Sequence, residues 1–251
     1  MRYNDPMQKS RFGWISSVAL LTAVIAVGLV TLAGPGYRAG WVGLATALQR
    51  MILFGAVAGI GAVIIGLLAL MVNRGRARVL AAVAVVLGAV AVVVPWRLQQ
   101  AAQAVPPIHD ITTDTVTPPR FVEAAALRQS LRVPNGLDYS NDVAAQQRTG
   151  YPEIQPVFLA VSPDEAYRRA MAVVTARGWE VLAGDDAAHR IEATDTTRWF
   201  GFKDDVAIRI AAIPNGGSRV DVRSVSRVGR SDIGTNARRI REFLAELQNR
   251  P

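Results

Sequence analysis

Three residues near the middle of the chain, His109, Asp110 and Asp114, have types and spacing that could do chemistry. A histidine beside two carboxylates can ligate a divalent metal, or can act as a general base with its orienting group. Hydrogen bonds that fasten this segment to a neighbouring sheet explain the same residues. The cluster is therefore a catalytic candidate only, and we predict no resident metal or cofactor.

A second set of polar residues lies along three predicted strands near the C-terminus. Arginines and carboxylates alternate there with apolar residues, which places them together on one side of a sheet. The planar fork of arginine suits carboxylate or phosphate, so this side could form a groove for an anionic ligand. A solvated ladder of salt bridges, each contributing about 0.2–1 kcal/mol, is the competing interpretation. This polar face comprises Glu192, Asp205, Arg209, Asp221, Arg223 and Arg227.

Residues 227–234 lead from the last strand into the last helix with two glycines and two arginines. The first amide groups of a helix and its dipole attract an anion, so this corner is a second candidate anion site. Internal neutralisation by nearby aspartates, with Ser231 or Asp232 capping the helix, is the alternative. The predicted ligand-binding residues from both features are Arg209, Arg223, Ser226, Arg227, Arg230, Ser231 and Asp232.

No catalytic motif of high specificity accompanies these candidates. The chain has no cysteine and lacks the serine elbow, the phosphate-binding glycine loop, the paired-histidine zinc motif and the dinucleotide fingerprint. We therefore expect a non-enzymatic binding or scaffolding module. A metal-dependent or acid/base hydrolase that uses His109, Asp110 and Asp114 is the alternative.

The elements that must position these residues begin after about residue 103. Three apolar runs without a charge are long enough to span a membrane, which takes roughly 20 residues. They are residues 14–34, 51–73 and 79–96. Basic residues precede the first run, and Arg74, Arg76 and Arg78 separate the second from the third, which predicts that both segments are cytoplasmic. We therefore predict a multi-pass protein of the bacterial inner membrane, with residues 104–251 in the periplasm.

The charge distribution excludes some function classes. Residues 1–96 hold eight basic residues and one acidic residue, most of them flanking the apolar runs, so the basic balance does not indicate nucleic-acid binding. No acid, lysine or histidine lies inside a run, which argues against a channel or transporter. Small-residue pairs at Gly55 with Gly59 and at Ala84 with Gly88 predict close helix packing, either within the chain or between copies, and the oligomeric state stays open.

Residues 104–251 have the pattern of an α+β domain. Residues 104–121 read as an extended, ordered strap punctuated by prolines, and a short helix (Glu123–Ser130) and a polar loop follow. Ser162 and Pro163 begin another helix, after which four or five antiparallel strands and a last helix complete the chain. We predict a meander with both long helices on one face, and a polar opposite face unless the strap covers it.

Several segments of this domain resemble the family called domain of unknown function 1499. They read HDITTD, PP, YP, RIEAT, WFGF, DD and DVRSVSR, at residues 109–114, 118–119, 151–152, 190–194, 199–202, 204–205 and 221–227. The resemblance covers about residues 105–249. It implies an exported or membrane-anchored bacterial domain, similar to ones in plastids, and it supplies no catalytic residues to carry over. The expected partners are the lipid bilayer and an envelope protein, or an anionic lipid or glycan.

Overall fold

The computed structural model describes residues 12–214 and 216–250. Arg2, Lys9 and Arg11 of the basic N-terminal segment, and Asn215 of the predicted hairpin turn, lie outside the described residues. The chain divides into two compact units, one of Met1–Gln100 with Trp199–Gly201 and the other of Ala101–Arg198 with Phe202–Pro251.

Three helices make up the first unit: α1 (Gly13–Arg38), α2 (Ile52–Val72) and α3 (Gly75–Gln103). A π-helical turn, Thr46–Met51, leads directly into α2. All three helices are long and apolar enough to cross a membrane, which confirms the predicted three-helix anchor. α1 and α3 extend beyond their predicted apolar runs because flanking arginines and prolines continue the helical backbone, whereas α2 lies within its predicted run.

Small residues line the contacts between these helices. A Cβ placed on Gly59 would lie 2.7 Å from the Gly88 carbonyl, and one on Gly55 would lie 2.7 Å from Val30. The predicted small-residue pairs therefore pack within the chain. Large apolar side chains such as Leu67 face outward, as expected for helices surrounded by lipid. The same unit includes Trp199, whose indole N–H donates to the Thr31 carbonyl.

A six-stranded antiparallel sheet forms the centre of the second unit. Its strands are β1 (Asp110–Thr112), β2 (Val157–Leu159), β3 (Glu180–Asp185), β4 (Arg190–Thr196), β5 (Lys203–Ala212) and β6 (Ser218–Ser226). The four long strands form the predicted meander, in the order β6-β5-β4-β3, and the short strands β1 and β2 both pair with β6. The predicted strap and the proline-broken segment before Ser162 thus contribute the two additional strands.

Two helices, α6 (Pro163–Ala176) and α7 (Thr235–Gln248), cover one face of the sheet, as predicted. Ser162 caps α6 by accepting from the Glu165 amide. Apolar residues of both helices pack on alternate strand residues such as Ile208 and Val222, which are fully buried. This layer holds the main core of the domain, and burial of such side chains stabilises it by about 1.5–3 kcal/mol each.

The opposite face, predicted to be polar, is also covered. The strap, the helix α4 (Glu123–Ser130) and the loop of residues 131–140 lie over it, and Phe121 and Ala124 pack there on Ala207 and Val225. Glu192, Asp205, Asp221, Arg223 and Arg227 are consequently buried, and only Arg209 of the polar face is half-exposed. The prediction of a solvated ladder was therefore wrong, since its salt bridges are internal.

One helix of the domain was not predicted from the sequence. Residues predicted as a polar loop include α5 (Asn141–Gly150), which begins where the Ser140 hydroxyl accepts from the Val143 amide. Buried Gln147 of α5 bridges to β1, because its amide group donates to the Thr112 carbonyl and accepts from the Thr112 amide. These two bonds occupy backbone groups at the outer edge of β1 and fix the strap in place.

Candidate functional site

Two consecutive aspartates of β5 fasten the three layers together. Neighbouring strand residues point to opposite faces, so Asp204 meets Arg239 of α7 at 2.6 Å while Asp205 meets Arg128 of α4 at 2.6 Å. Asp205 also accepts from Arg227, at 2.7 Å, and all three side chains are buried. Burial by itself raises the pKa of Asp205, but the hydrogen bonds from Arg227 and Arg128 outweigh it and lower the pKa.

Arg223 fastens the strap to the sheet. Its guanidinium donates to both oxygens of Asp110, at 3.0 and 2.6 Å, and to the carbonyls of Pro119 and Leu137. The rings of Phe121 and Tyr139 lie within 5.3 and 5.6 Å of the same group. Such a buried, paired and stacked arginine is structural, because few of its N–H groups are left for a ligand.

At the predicted corner, residues 227–234, and at the adjacent Ser226, the hydroxyl and carboxylate side chains have partners within the domain. Asp232 accepts from the Gly234 and Asn236 amides and so caps α7, and burial raises its pKa. The Ser226 hydroxyl accepts from Asn236, and the Ser231 hydroxyl accepts from the Ile233 amide. Arg230 is exposed. This geometry favours the internal alternative, since the helix N-terminus already has its own carboxylate.

The catalytic candidates each contact different groups. Asp110 pairs with Arg223, Asp114 accepts from the strap and from arginines of the polar face, and the His109 imidazole lies 3.4 Å from the Arg230 carbonyl. Within residues 12–214 and 216–250, no three His, Asp or Glu side chains converge as metal ligands would. Hydrogen bonds that fasten the strap, the alternative considered from sequence, account for the two aspartates.

A cleft of about 630 Å³ opens beside these anchors, over the end of the polar face where β4 and β5 meet. Its volume falls in the range of small-molecule sites, about 300–1,000 Å³. Four arginines line it and a single carboxylate, Asp138, does so. We call it the arginine cleft; its lining comprises Val116, Thr117, Pro118, Pro119, Arg120, Leu137, Asp138, Tyr139, Ala188, Arg190, Arg209 and Arg223.

Arg209 lies in the floor of the arginine cleft with part of its donor set engaged. It donates to the Thr117 carbonyl and to the carboxylates of Asp114 and Asp221, and its side chain stays 35% exposed. Burial raises the pKa of Asp114, but hydrogen bonds from Thr117, Val116 and Arg209 lower it to about 2. Asp114 is therefore ionised at neutral pH and holds Arg209 from behind.

Arg190 lies beside the polar face and differs from its arginines because no described protein group accepts a hydrogen bond from its side chain. In the part of the chain that the structure describes, its Nε is buried without a partner and its guanidinium donates to no protein group. The nearest carboxylate oxygen, of Glu192, is 3.9 Å away. Both Glu192 oxygens instead accept backbone amides, of Val122 and Ala124 at the start of α4. Arg190 is thus a half-buried cation that lines the cleft, with a buried Nε and with Nη groups that donate to no described protein group.

The sequence candidates and the arginine cleft overlap only in part. Arg209 and Arg223 were among the predicted ligand-binding residues, whereas Arg120, Arg190 and Tyr139 were not. Arg190 was detectable, because alternation along the predicted strand of residues 190–196 places it on the same side as Glu192. Arg120 and Tyr139 had no such signal, since both lie on segments whose path depends on contacts with distant residues.

Comparison with known families gives one result for this domain. The family model described as Protein of unknown function (DUF1499) matches residues 110–247, more than half of the chain. The match confirms the resemblance seen from sequence over about residues 105–249. No curated protein matches the chain.

Proposed function

The chain belongs to the family described as Protein of unknown function (DUF1499), and on this premise we propose that it is a membrane-anchored binding protein that holds a small anionic ligand in the arginine cleft. One observation carries the proposal: Arg190 is half-buried, faces the cleft and has no hydrogen-bond acceptor among the described residues. Buried donors normally have hydrogen-bond partners. A guanidinium without an acceptor in the protein can bind an anion such as a carboxylate or a phosphate.

The arrangement supports binding rather than catalysis. The groups that line the arginine cleft are four arginines, three other polar residues including the single carboxylate of Asp138, and prolines and aliphatic residues, and the arginines can hold and orient an anion. Burial and the Asp110 carboxylate raise the pKa of Tyr139 well above its usual value, so its hydroxyl stays neutral and does not act as a base. No contact in the described domain favours the hydrolase alternative with His109, Asp110 and Asp114.

The compartment is part of the proposal. Arg74, Arg76 and Arg78 lie at the junction of α2 and α3, and short basic loops of this kind are retained in the cytoplasm. Three spans then carry residues 104–251 to the outside, which for a bacterial inner membrane is the periplasm. In this compartment the ligand would come from the envelope, from its lipids or glycans or their soluble precursors.

Native mass spectrometry of the full chain tests the ligand proposal. The protein is purified from its own membranes in a mild non-ionic detergent, and masses retained by wild type are compared with those retained by Arg190→Gln. Arg219→Gln is the control, because the Arg219 side chain is 35% exposed, close to the 29% of Arg190, and Arg219 pairs with Asp114 and Asp221 but does not line the cleft. We expect an anionic small molecule that only Arg190→Gln loses. Identical spectra for all three proteins would contradict the proposal.

The compartment has a separate test. A reporter enzyme that is active only in the periplasm is fused to the C-terminus of the full chain, and a matched fusion is made after α2. We expect activity from the C-terminal fusion and none from the fusion after α2. The reverse pattern would overturn the orientation without affecting the binding proposal.

A further inference from the structure

Two arginines stand directly opposite each other in the arginine cleft. Arg190 of β4 and Arg209 of β5 are register partners in the antiparallel pair, and both side chains reach the cleft. Directly opposed residues of this kind have Cβ atoms about 5 Å apart, and like charges in that position repel each other. Asp114 and Asp221 offset this repulsion from the side of Arg209, and an anion between the two guanidiniums would offset it from the side of the cleft.

The free donors of the pair define what that anion must offer. Arg190 brings the N–H groups of its Nη1 and Nη2, which donate to no protein group in residues 12–214 and 216–250, whereas its Nε is buried. Arg209 uses Nη1 for the Thr117 carbonyl and Nη2 for Asp114 and Asp221, which leaves its Nε and one hydrogen of Nη1. Donors converge from two directions, so the ligand group needs more than the two oxygens of one carboxylate.

From this geometry we infer that the ligand of the arginine cleft carries a phosphomonoester, held between Arg190 and Arg209. A phosphomonoester has three free oxygens and a charge of about −1.5 to −2 at neutral pH, which matches two neighbouring guanidiniums. A carboxylate has one charge and pairs with a single fork. The inference rests on the proposed function, since it names the ligand class for the same cleft.

The remaining volume indicates that the phosphate belongs to a larger molecule. The cleft of about 630 Å³ greatly exceeds the roughly 30 Å³ share of one water, and a phosphate group alone would fill a small part of it. Beyond the two arginines half of the lining residues are apolar, with Pro118, Leu137 and Ala188 among them, and the other half are polar or charged. We therefore expect a phosphate on a compact organic body, either a soluble phosphate ester or the headgroup of a phosphomonoester lipid.

Calorimetric titration of the full chain in non-ionic detergent tests this inference. The probes are glycerol 3-phosphate, its carboxylate counterpart glycerate, and sulfate, each at about pH 5 and about pH 7.5, on either side of the second phosphate ionisation near 6. We expect glycerol 3-phosphate to bind more tightly than glycerate, and to bind more tightly at the higher pH. Sulfate is a dianion at both values, so its affinity reports any titration of the protein itself and should stay constant.

Variants tie the binding to the arginine pair. Arg190→Gln and Arg190→Lys should each weaken glycerol 3-phosphate binding about tenfold or more, since lysine keeps the charge but loses the fork. Arg219→Gln should bind as wild type does. Arg190 makes no side-chain hydrogen bond within the described residues and only a long ion pair, of 3.9 Å, with Glu192, so its replacement removes little internal contact.

A second arm separates the two sources of the phosphate. The full chain is placed in nanodiscs of phosphatidylcholine with or without phosphatidic acid, and lipid bound by wild type and by Arg190→Gln is quantified. Binding of phosphatidic acid that depends on Arg190 supports the inference with a lipid source, and binding of glycerol 3-phosphate supports it with a soluble one.

Two results would overturn the inference, and they have different consequences for the proposed function. Glycerate that binds as tightly as glycerol 3-phosphate, and still depends on Arg190, would overturn the phosphate assignment while anion binding stands. If no probe binds and phosphatidic acid retention is unchanged in Arg190→Gln, the phosphate assignment and the proposed use of the cleft both fail.

Discussion

Replacing Asp205 with asparagine should destabilise the second unit more than any exposed substitution does. Asp205 is fully buried and accepts from Arg128 at 2.6 Å, from Arg227 at 2.7 Å and from the Thr194 hydroxyl at 2.8 Å. Asparagine keeps the shape but removes the charge, which leaves two buried guanidiniums without their shared counter-ion. Breaking a buried ion pair from one side costs about 3–5 kcal/mol, a large fraction of the roughly 5–15 kcal/mol that stabilises a domain.

Urea titration with pulse proteolysis measures this loss on the full chain in detergent, with cleavage followed in the second unit. For a urea m-value of about 2 kcal/mol/M, the midpoint of Asp205→Asn should fall by about 1.5–2.5 M. Asp164→Asn is the control, because the Asp164 side chain is 83% exposed and its one ion pair among the described residues is with His189. Its midpoint should move by less than about 0.5 M, as a surface ion pair contributes about 0–1 kcal/mol.

A triple variant separates the loss of a partner from the net value of the network. Arg128→Met, Asp205→Leu and Arg227→Met together remove every charge of the cluster, and such apolar replacements are often close to neutral. We expect the triple variant to be more stable than Asp205→Asn alone. A midpoint for Asp205→Asn within 0.5 M of wild type, roughly 1 kcal/mol, would refute the claim that this carboxylate holds the two layers together.

Three further predictions concern packing, capping and acid stability. Gly59→Ala should lower the thermal stability of the detergent-solubilised helices by about 1–3 kcal/mol, because the added Cβ would lie 2.7 Å from the facing backbone. The control Gly61→Ala should leave the thermal stability unchanged, because no atom lies within 4 Å of its added Cβ. Glu192→Ala should accelerate hydrogen exchange throughout α4 and cost about 1–3 kcal/mol, since it orphans two amides; unchanged exchange would contradict the capping role. The stability contributed by ionised Asp114 should be complete above its ordinary pKa of 3.8 and should disappear as the pH falls through about 2. The urea midpoint of Asp114→Asn should therefore fall less on acidification than the midpoint of wild type does.

Local patterns determined the elements that sequence reading placed correctly. The helix begun by Ser162 and Pro163 follows from its cap and apolar spacing, which act over a few residues, and the helix from Glu123 to Ser130 was also placed correctly from its local sequence. The helix α5 was missed because its sequence has no clear apolar stripe. Its position depends on Gln147, whose bonds to Thr112 span 35 residues, and no local pattern reports a contact of that kind.

The residues of the arginine cleft were likewise predictable from local patterns only in part. Strand alternation placed the charges of the polar face together, which is a short-range property of the backbone. It did not show that the strap covers them, and so the face was read as solvated. Once covered, Arg223 and Arg227 became structural through short bonds to carboxylates, and Arg190, whose nearest carboxylate oxygen is 3.9 Å away, became the candidate for binding.

By itself the sequence determined the three apolar helices, the antiparallel meander, the helices on its core face and the family. These follow from hydrophobic period, turn residues and segment identity. Only the tertiary structure decided which charges are paired. Asp110 meets Arg223 across 113 residues and Arg128 meets Asp205 across 77, because chain folding brings together groups whose separation in sequence carries no trace of the contact. That pairing left Arg190 and Arg209 side by side in the cleft, and no reading of residue types alone could separate them from the arginines that only hold the fold.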